Sequence, residues 1–326
     1  MIQYLYSMIL KILFILIFIA ASNAASQEIP AELILRALNH CYPERTGVVE
    51  YRDGDWTITA GNEIFYWAEG RLLPASLRNS IDLYSPFIFE VYPSSIPSPS
   101  AFSAQYIEDL RRYGRIEARR EIEDLHRGLQ GILFGGHNRR EIENNLQRID
   151  FLGSRISVHR DIAEALRRID TVIRNAASED STEGRNITAF LNSIGQIGGY
   201  NWREIRGSNR MSYHSWGLAV DIQPRNLGGR SMYWLWEQSH NNNWMLVPLA
   251  NRWMPPGKVI EAFEHEGFVW GGKWSFYDNM HFEYRPELHE LNRLLASGNV
   301  PYSLTETHYR TRNRDLHHLY PDGLIP

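Results

Sequence analysis

Two short segments, 212–223 and 278–285, constrain this chain more than any others, because the first ends in, and the second carries, an alternation of apolar and polar residues with the period of a strand. Successive strand side chains point to opposite faces, so Leu218, Val220 and Ile222 fall on one face while Ala219, Asp221 and Gln223 fall on the other. The second segment repeats the device, with Met280, Phe282 and Tyr284 opposite His281, Glu283 and Arg285. A chain built this way folds around a sheet that has one apolar face and one exposed face carrying imidazole and carboxylate groups. Two histidines and one carboxylate on rigid elements, with a coordination position left over, form the donor set of a catalytic zinc site rather than a closed structural one.

Helices are expected to cover the apolar face. Ile162, Ala165, Leu166, Ile169 and Ile173 recur at helical spacing over 161–176, a shorter helix is expected near 186–194, and 103–130 and 138–149 show similar spacing. The fold class is therefore α+β, a small antiparallel sheet with packed helices. Upstream, 47–93 is rich in turns and aromatics, and Trp56-Thr57-Ile58-Thr59 and Ile64-Phe65-Tyr66-Trp67 have strand character around Ala60-Gly61-Asn62. Three prolines and four serines in 93–100 mark a boundary. The organisation expected is a β-rich accessory segment over 25–100, a helical connecting region over 101–157, a catalytic domain over 158–301 and a polar extension over 302–326.

The N-terminus determines the compartment. Lys11 precedes an apolar run over 12–21, and Ser22-Asn23-Ala24 supplies small residues for cleavage, so 1–24 is a signal peptide, with an uncleaved anchor from Met8 as the alternative. The protein is expected to be exported to the periplasm or beyond, with no stable membrane insertion after cleavage. A formal charge of −4 gives no basic footprint for phosphate backbones, so no nucleic-acid partner is expected. Cys41 is the lone cysteine and is expected to be a buried or inert thiol.

Three linked motifs now stand out: Ser212-x-His214-x-x-Gly217-x-Ala219-x-Asp221, then Gly267-Phe268-x-Trp270-Gly271-Gly272-x-Trp274, then Asp278-x-x-His281-Phe282-Glu283. In this order the chain resembles the M15 class of zinc D-alanyl-D-alanine peptidases, which groups VanY-type carboxypeptidases with L-alanyl-D-glutamate endopeptidases. The resemblance implies the Hedgehog/DD-peptidase type of zinc domain and hydrolysis of peptidoglycan stem peptides. It makes His214, Asp221 and His281 the ligands of one zinc ion, and Asp278 the general base that takes a proton from a zinc-activated water. Many relatives carry Glu there; the shorter Asp resembles the endopeptidase-like branch. It also makes Arg203 the arginine that holds a substrate carboxylate or carbonyl and stabilises the developing oxyanion, with Arg206 as the competing candidate. Ser212, Trp216 and Trp274 are expected at the substrate, Trp270 is a further candidate for the cleft wall, and Glu283 is expected to support a ligand histidine.

A different class stays open: a metal-binding module of the same fold that recognises cell-wall peptide or a protein partner without cutting it. Asp278 argues against that alternative, since holding zinc does not require a base. His265-Glu266 begins like a zincin helix, but Val269 stands where the second histidine is needed. His317 and His318 read as solvated tail residues. The chain has no Gly-x-Ser-x-Gly elbow, P-loop or dinucleotide fingerprint.

Overall fold

The computed structural model describes residues 29–87, 89–115, 125–205 and 210–297. The expected signal segment, Arg206, and the tail with His317 and His318 lie outside them. The first element among the described residues is a helix not expected from the turn-rich sequence that follows it. Ala31–Cys41 buries Leu33, Ile34, Leu35, Ala37 and Leu38 along one stripe and packs against the helix Pro286–Ala296 near the other end of the chain. Four strands follow: β1 (Thr46–Arg52), β2 (Asp55–Ala60), β3 (Glu63–Tyr66) and β4 (Leu73–Pro74), antiparallel in the order β1-β2-β3-β4. Asp53-Gly54 closes the first hairpin with positive φ at both residues, the turn that matches strand twist.

The middle of the chain departs from its helical pattern. A helix spans Ala104–Tyr113, capped by the Ser103 side chain, and short helices span Gly128–Leu133 and Arg139–Glu143. The helix expected over 138–149 stops at Glu143, because Ile149 and Phe151 bury themselves in alternation with exposed Asp150. They belong to β5 (Leu146–Phe151), which pairs with β6 (Ser154–His159) across Leu152 and Gly153, both at positive φ. From there the helical spacing holds. Arg160–Ala177 buries the five apolar residues named above, with Asp161 in its first turn and Arg174 in its last, where each complements the macrodipole. Thr182–Ser193 follows, its first turn capped by Ser181 Oγ accepting from the Gly184 N–H at 2.9 Å.

The second sheet carries the chemistry. It contains β7 (Ile194–Gly198), β8 (Ala219–Pro224), β9 (Phe268–Trp270) and β10 (His281–Tyr284), antiparallel in the order β7-β8-β10-β9. β8 and β10 are thus the central pair, with Phe282 opposite Val220 and His281 opposite Asp221. On the apolar face, Phe282 stacks on Phe263 of helix Gly257–His265, ring centroids 3.9 Å apart. Helices and small antiparallel sheets make this an α+β fold. The polar face differs from the expected exposed surface: His281, Glu283 and Arg285 are all under 9% exposed. Charge there is taken out of water, so each group needs a partner. Among the described residues, no helix is long and apolar enough to cross a membrane.

Candidate metal centre and active site

His214 owes its position to a tight 3-10 turn, Tyr213–Trp216, whose amide at His214 approaches the Ser212 hydroxyl. Gly217 ends the turn at φ +68, and a Cβ there would lie 2.7 Å from the His159 backbone nitrogen, so both conformation and space demand glycine. The His214 ring is then oriented by its Nδ1, 2.6 Å from the Gly199 carbonyl oxygen. A carbonyl accepts only, so Nδ1 carries the proton and Nε2 presents a lone pair. That Nε2 is buried and makes no well-aligned hydrogen bond among the described residues, although it faces Asp221 Oδ1 at 3.1 Å.

His281 reaches the same oxygen from the neighbouring strand, with Nδ1 2.8 Å from Asp221 Oδ1 and Nε2 3.1 Å from Glu283 Oε2. The donor atoms of His214, Asp221 and His281 all lie within 4.8 Å of one another. Two imidazoles and a carboxylate converging on one buried point require a positive charge. Without a metal, a proton supplies it: burial alone would lower the His281 pKa, but its hydrogen bonds to Asp221 and Glu283 push it up to about 10. Burial would likewise raise Asp221, yet the two histidines hold its carboxyl far below the usual range. A divalent ion meets the same need. Glu283 holding Nε2–H of His281 and Gly199 holding Nδ1–H of His214 would leave one lone pair on each ring directed at the ion, the support that ligand histidines ordinarily receive. The residues present therefore fit a zinc ion.

Asp278, His281, Ser212, Trp274 and Arg203 line one cavity of about 120 Å³. Asp278 Oδ1 is buried and has no hydrogen-bond partner among the described residues. Burial raises the Asp278 pKa and the Asp221 charge adds to the rise, while His281 and Arg203 oppose it, leaving a carboxyl well above the usual range. Arg203 is exposed, and its backbone is pinned by Ser215, whose hydroxyl accepts from the Arg203 N–H at 2.9 Å and donates to its carbonyl at 2.7 Å. Trp274 sits 5.7 Å from the His281 ring. Trp216 does not reach the cavity; it packs edge-on to Phe134 and Tyr213 in the core. Trp270 is fully buried, its indole N–H donating to the Asn279 carbonyl at 2.9 Å. His265 lies on the surface, away from the cavity lining, and Glu266 pairs with Arg168.

Other contributors carried no signal in their own sequence. Phe87, Leu125 and Gln130 reach the cavity from upstream of the motifs, and Ser215 acts through the backbone of Arg203. Their roles follow from long-range packing.

A family model matches part of the chain that carries this geometry. Residues 206–284 match the family model described as D-alanyl-D-alanine carboxypeptidase. The match supports the M15 peptidase class, and it contains the three metal-ligand candidates and Asp278, while Arg203 stands just before it. Residues 34–89 match a second model, described as a domain of unknown function. No curated protein and no solved structure matches the chain.

Proposed function

We propose that this chain is a zinc-dependent peptidase of the VanY-like and endopeptidase-like group, exported from the cytoplasm and acting on peptidoglycan stem peptides. The observation that carries this is the convergence of His214, Asp221 and His281, the last of which lines the same cavity as Asp278, whose Oδ1 is buried with no hydrogen-bond partner among the described residues. His214, Asp221 and His281 would hold a zinc ion there, which would supply Lewis acidity and lower the pKa of water towards neutrality. The protein's own groups do the rest. Asp278 takes the proton of the attacking water and returns it to the leaving amine, work suited to a carboxylate whose pKa burial has raised towards neutrality. Arg203 at the cavity edge holds a substrate oxygen and offsets the negative charge that develops on it. Ser212 and Trp274 orient the peptide, and the buried surroundings of the site keep bulk water away from the reacting groups.

Stem peptides fit because the matched family acts at D-alanine linkages and an exported enzyme meets such substrates outside the cytoplasm. Incubating purified protein with muropeptides and identifying the products by mass tests the proposal. Loss of a terminal D-alanine marks a carboxypeptidase, which should fail when the terminal carboxylate is amidated because Arg203 then lacks its anionic partner. Internal cleavage that tolerates the cap marks an endopeptidase, the outcome favoured by the Asp278-x-x-His281 form. A protein that binds zinc and stem peptide yet cuts neither substrate would instead be the non-catalytic module.

A further inference from the structure

The polar face of β10 continues past the metal centre as a chain of buried partners. His281 Nε2 meets Glu283 Oε2 at 3.1 Å, and the other oxygen of Glu283 accepts from Arg285 at 3.3 Å. Arg285 donates through Nε to Glu287, and Glu287 accepts from the Tyr42 hydroxyl at 3.2 Å. The guanidinium also lies over the ring of Tyr213, 5.1 Å from its centroid, next to the second ligand histidine. Glu283, Arg285, Glu287 and Tyr42 are each 9% exposed or less. Tyr42 directly follows helix Ala31–Cys41, within the segment that matches the domain of unknown function.

Charges alternate along this chain, and each buried ion is held on both sides. A carboxylate that must present one oxygen to an imidazole N–H has its orientation fixed only if its other oxygen is also held. The planar fork of Arg285 does that for Glu283 while satisfying Glu287, which a point-charge lysine cannot do with the same geometry. Removing the fork would leave two buried carboxylates without their cation and let Glu283 rotate away from His281.

Resting on the metal site proposed above, we infer that Arg285 is a positioning residue for the metal ligand His281, acting through Glu283, and that Tyr42 and Glu287 anchor Arg285. The N-terminal helix and the residue that follows it thereby become part of the support of the metal centre instead of belonging to a separate accessory module.

Zinc affinity of the full chain, measured by competition with a chelator, tests this directly. Arg285→Met should weaken zinc binding by about 10- to 100-fold, as loss of such supporting partners ordinarily does. Arg285→Lys should also weaken it, and Tyr42→Phe, which removes one oxygen and keeps the ring, should shift it in the same direction by less. The double variant Glu283→Gln with Arg285→Met should bind zinc no more weakly than Glu283→Gln alone, since Arg285 acts only through Glu283. Leu291→Ala, in the helix Pro286–Ala296 that carries Glu287 but outside the chain of partners, should lower thermal stability without changing zinc affinity. Unchanged affinity in both Arg285 variants, additive losses in the double variant, or an equal shift in Leu291→Ala would overturn the inference. A wild-type protein that takes up no zinc contradicts the metal site itself, whereas normal uptake with unaltered Arg285 variants contradicts only the positioning role.

Discussion

At the scale of single residues, holding a metal and moving a proton fall to different side chains. The Asp278 backbone carbonyl accepts from the His281 N–H at 3.1 Å, but its side-chain Oδ1 has no hydrogen-bond partner among the described residues. Asp278→Asn should keep one zinc and the wild-type fold while losing about 10²- to 10⁴-fold in turnover of stem peptide, measured at saturating substrate. Full turnover would move the base elsewhere. Glu90 gives a second residue-scale prediction. Both its carboxyl oxygens are buried without hydrogen-bond partners among the described residues, and burial pushes its pKa from 4.5 up to about 7, with Arg285 opposing the rise. Because the folded value lies above the unfolded one, stability is fully present below 4.5 and drains away as pH rises towards about 7. Glu90→Gln should therefore raise stability by up to about 3 kcal/mol at about pH 8 and leave it nearly unchanged at about pH 4, read by denaturant melts of the metal-free protein. Gains of equal size at both pH values would show that ionisation is not the cause. Cys41 is half-buried, and burial, with Glu287 and Glu290 adding to it, pushes its thiol up to about 12, which disfavours the thiolate near neutral pH.

At the scale of elements, His214, Asp221 and His281 were legible because strand alternation and short motif spacing are local properties. The pairing that sets His281 opposite Asp221 joins segments far apart in sequence, but each carries its own alternation. Trp216 was not legible in the same way: an aromatic beside a cleft and one behind it have the same sequence, and only packing against Phe134 and Tyr213 distinguishes them. The overextended helix at 138–149 has a comparable cause. Ile142 and Ile149 suit either period, and the hairpin is fixed by the positive φ at Leu152 and Gly153, together with burial of Ile149 and Phe151. Gly217 belongs to this scale, since it is the turn that aims His214. Gly217→Ala should cost about 1 to 3 kcal/mol from backbone strain and weaken zinc binding, because relief of the contact with His159 moves the whole turn. A melt and a chelator titration check both parts, and an unaltered zinc affinity would mean that the turn does not set the ligand.

At the scale of the whole molecule, the N-terminal elements and the catalytic sheet share structure in two places: helix Ala31–Cys41 packs on helix Pro286–Ala296, and Phe87 reaches the cavity that contains Asp278 and His281. The sequence hid both contacts, because residues near 35 and near 290 show their complementarity only once the chain has folded. The molecule proposed here is an exported peptidase whose upstream segment helps build the site. Its central claim is that His214, Asp221 and His281 together hold one catalytic zinc ion, and elemental analysis of the purified protein after dialysis tests that most directly. Wild-type protein should retain one zinc per chain and His281→Ala none, with circular dichroism showing the same fold for both. A folded His281→Ala protein that keeps one tightly bound zinc per chain would contradict the claim.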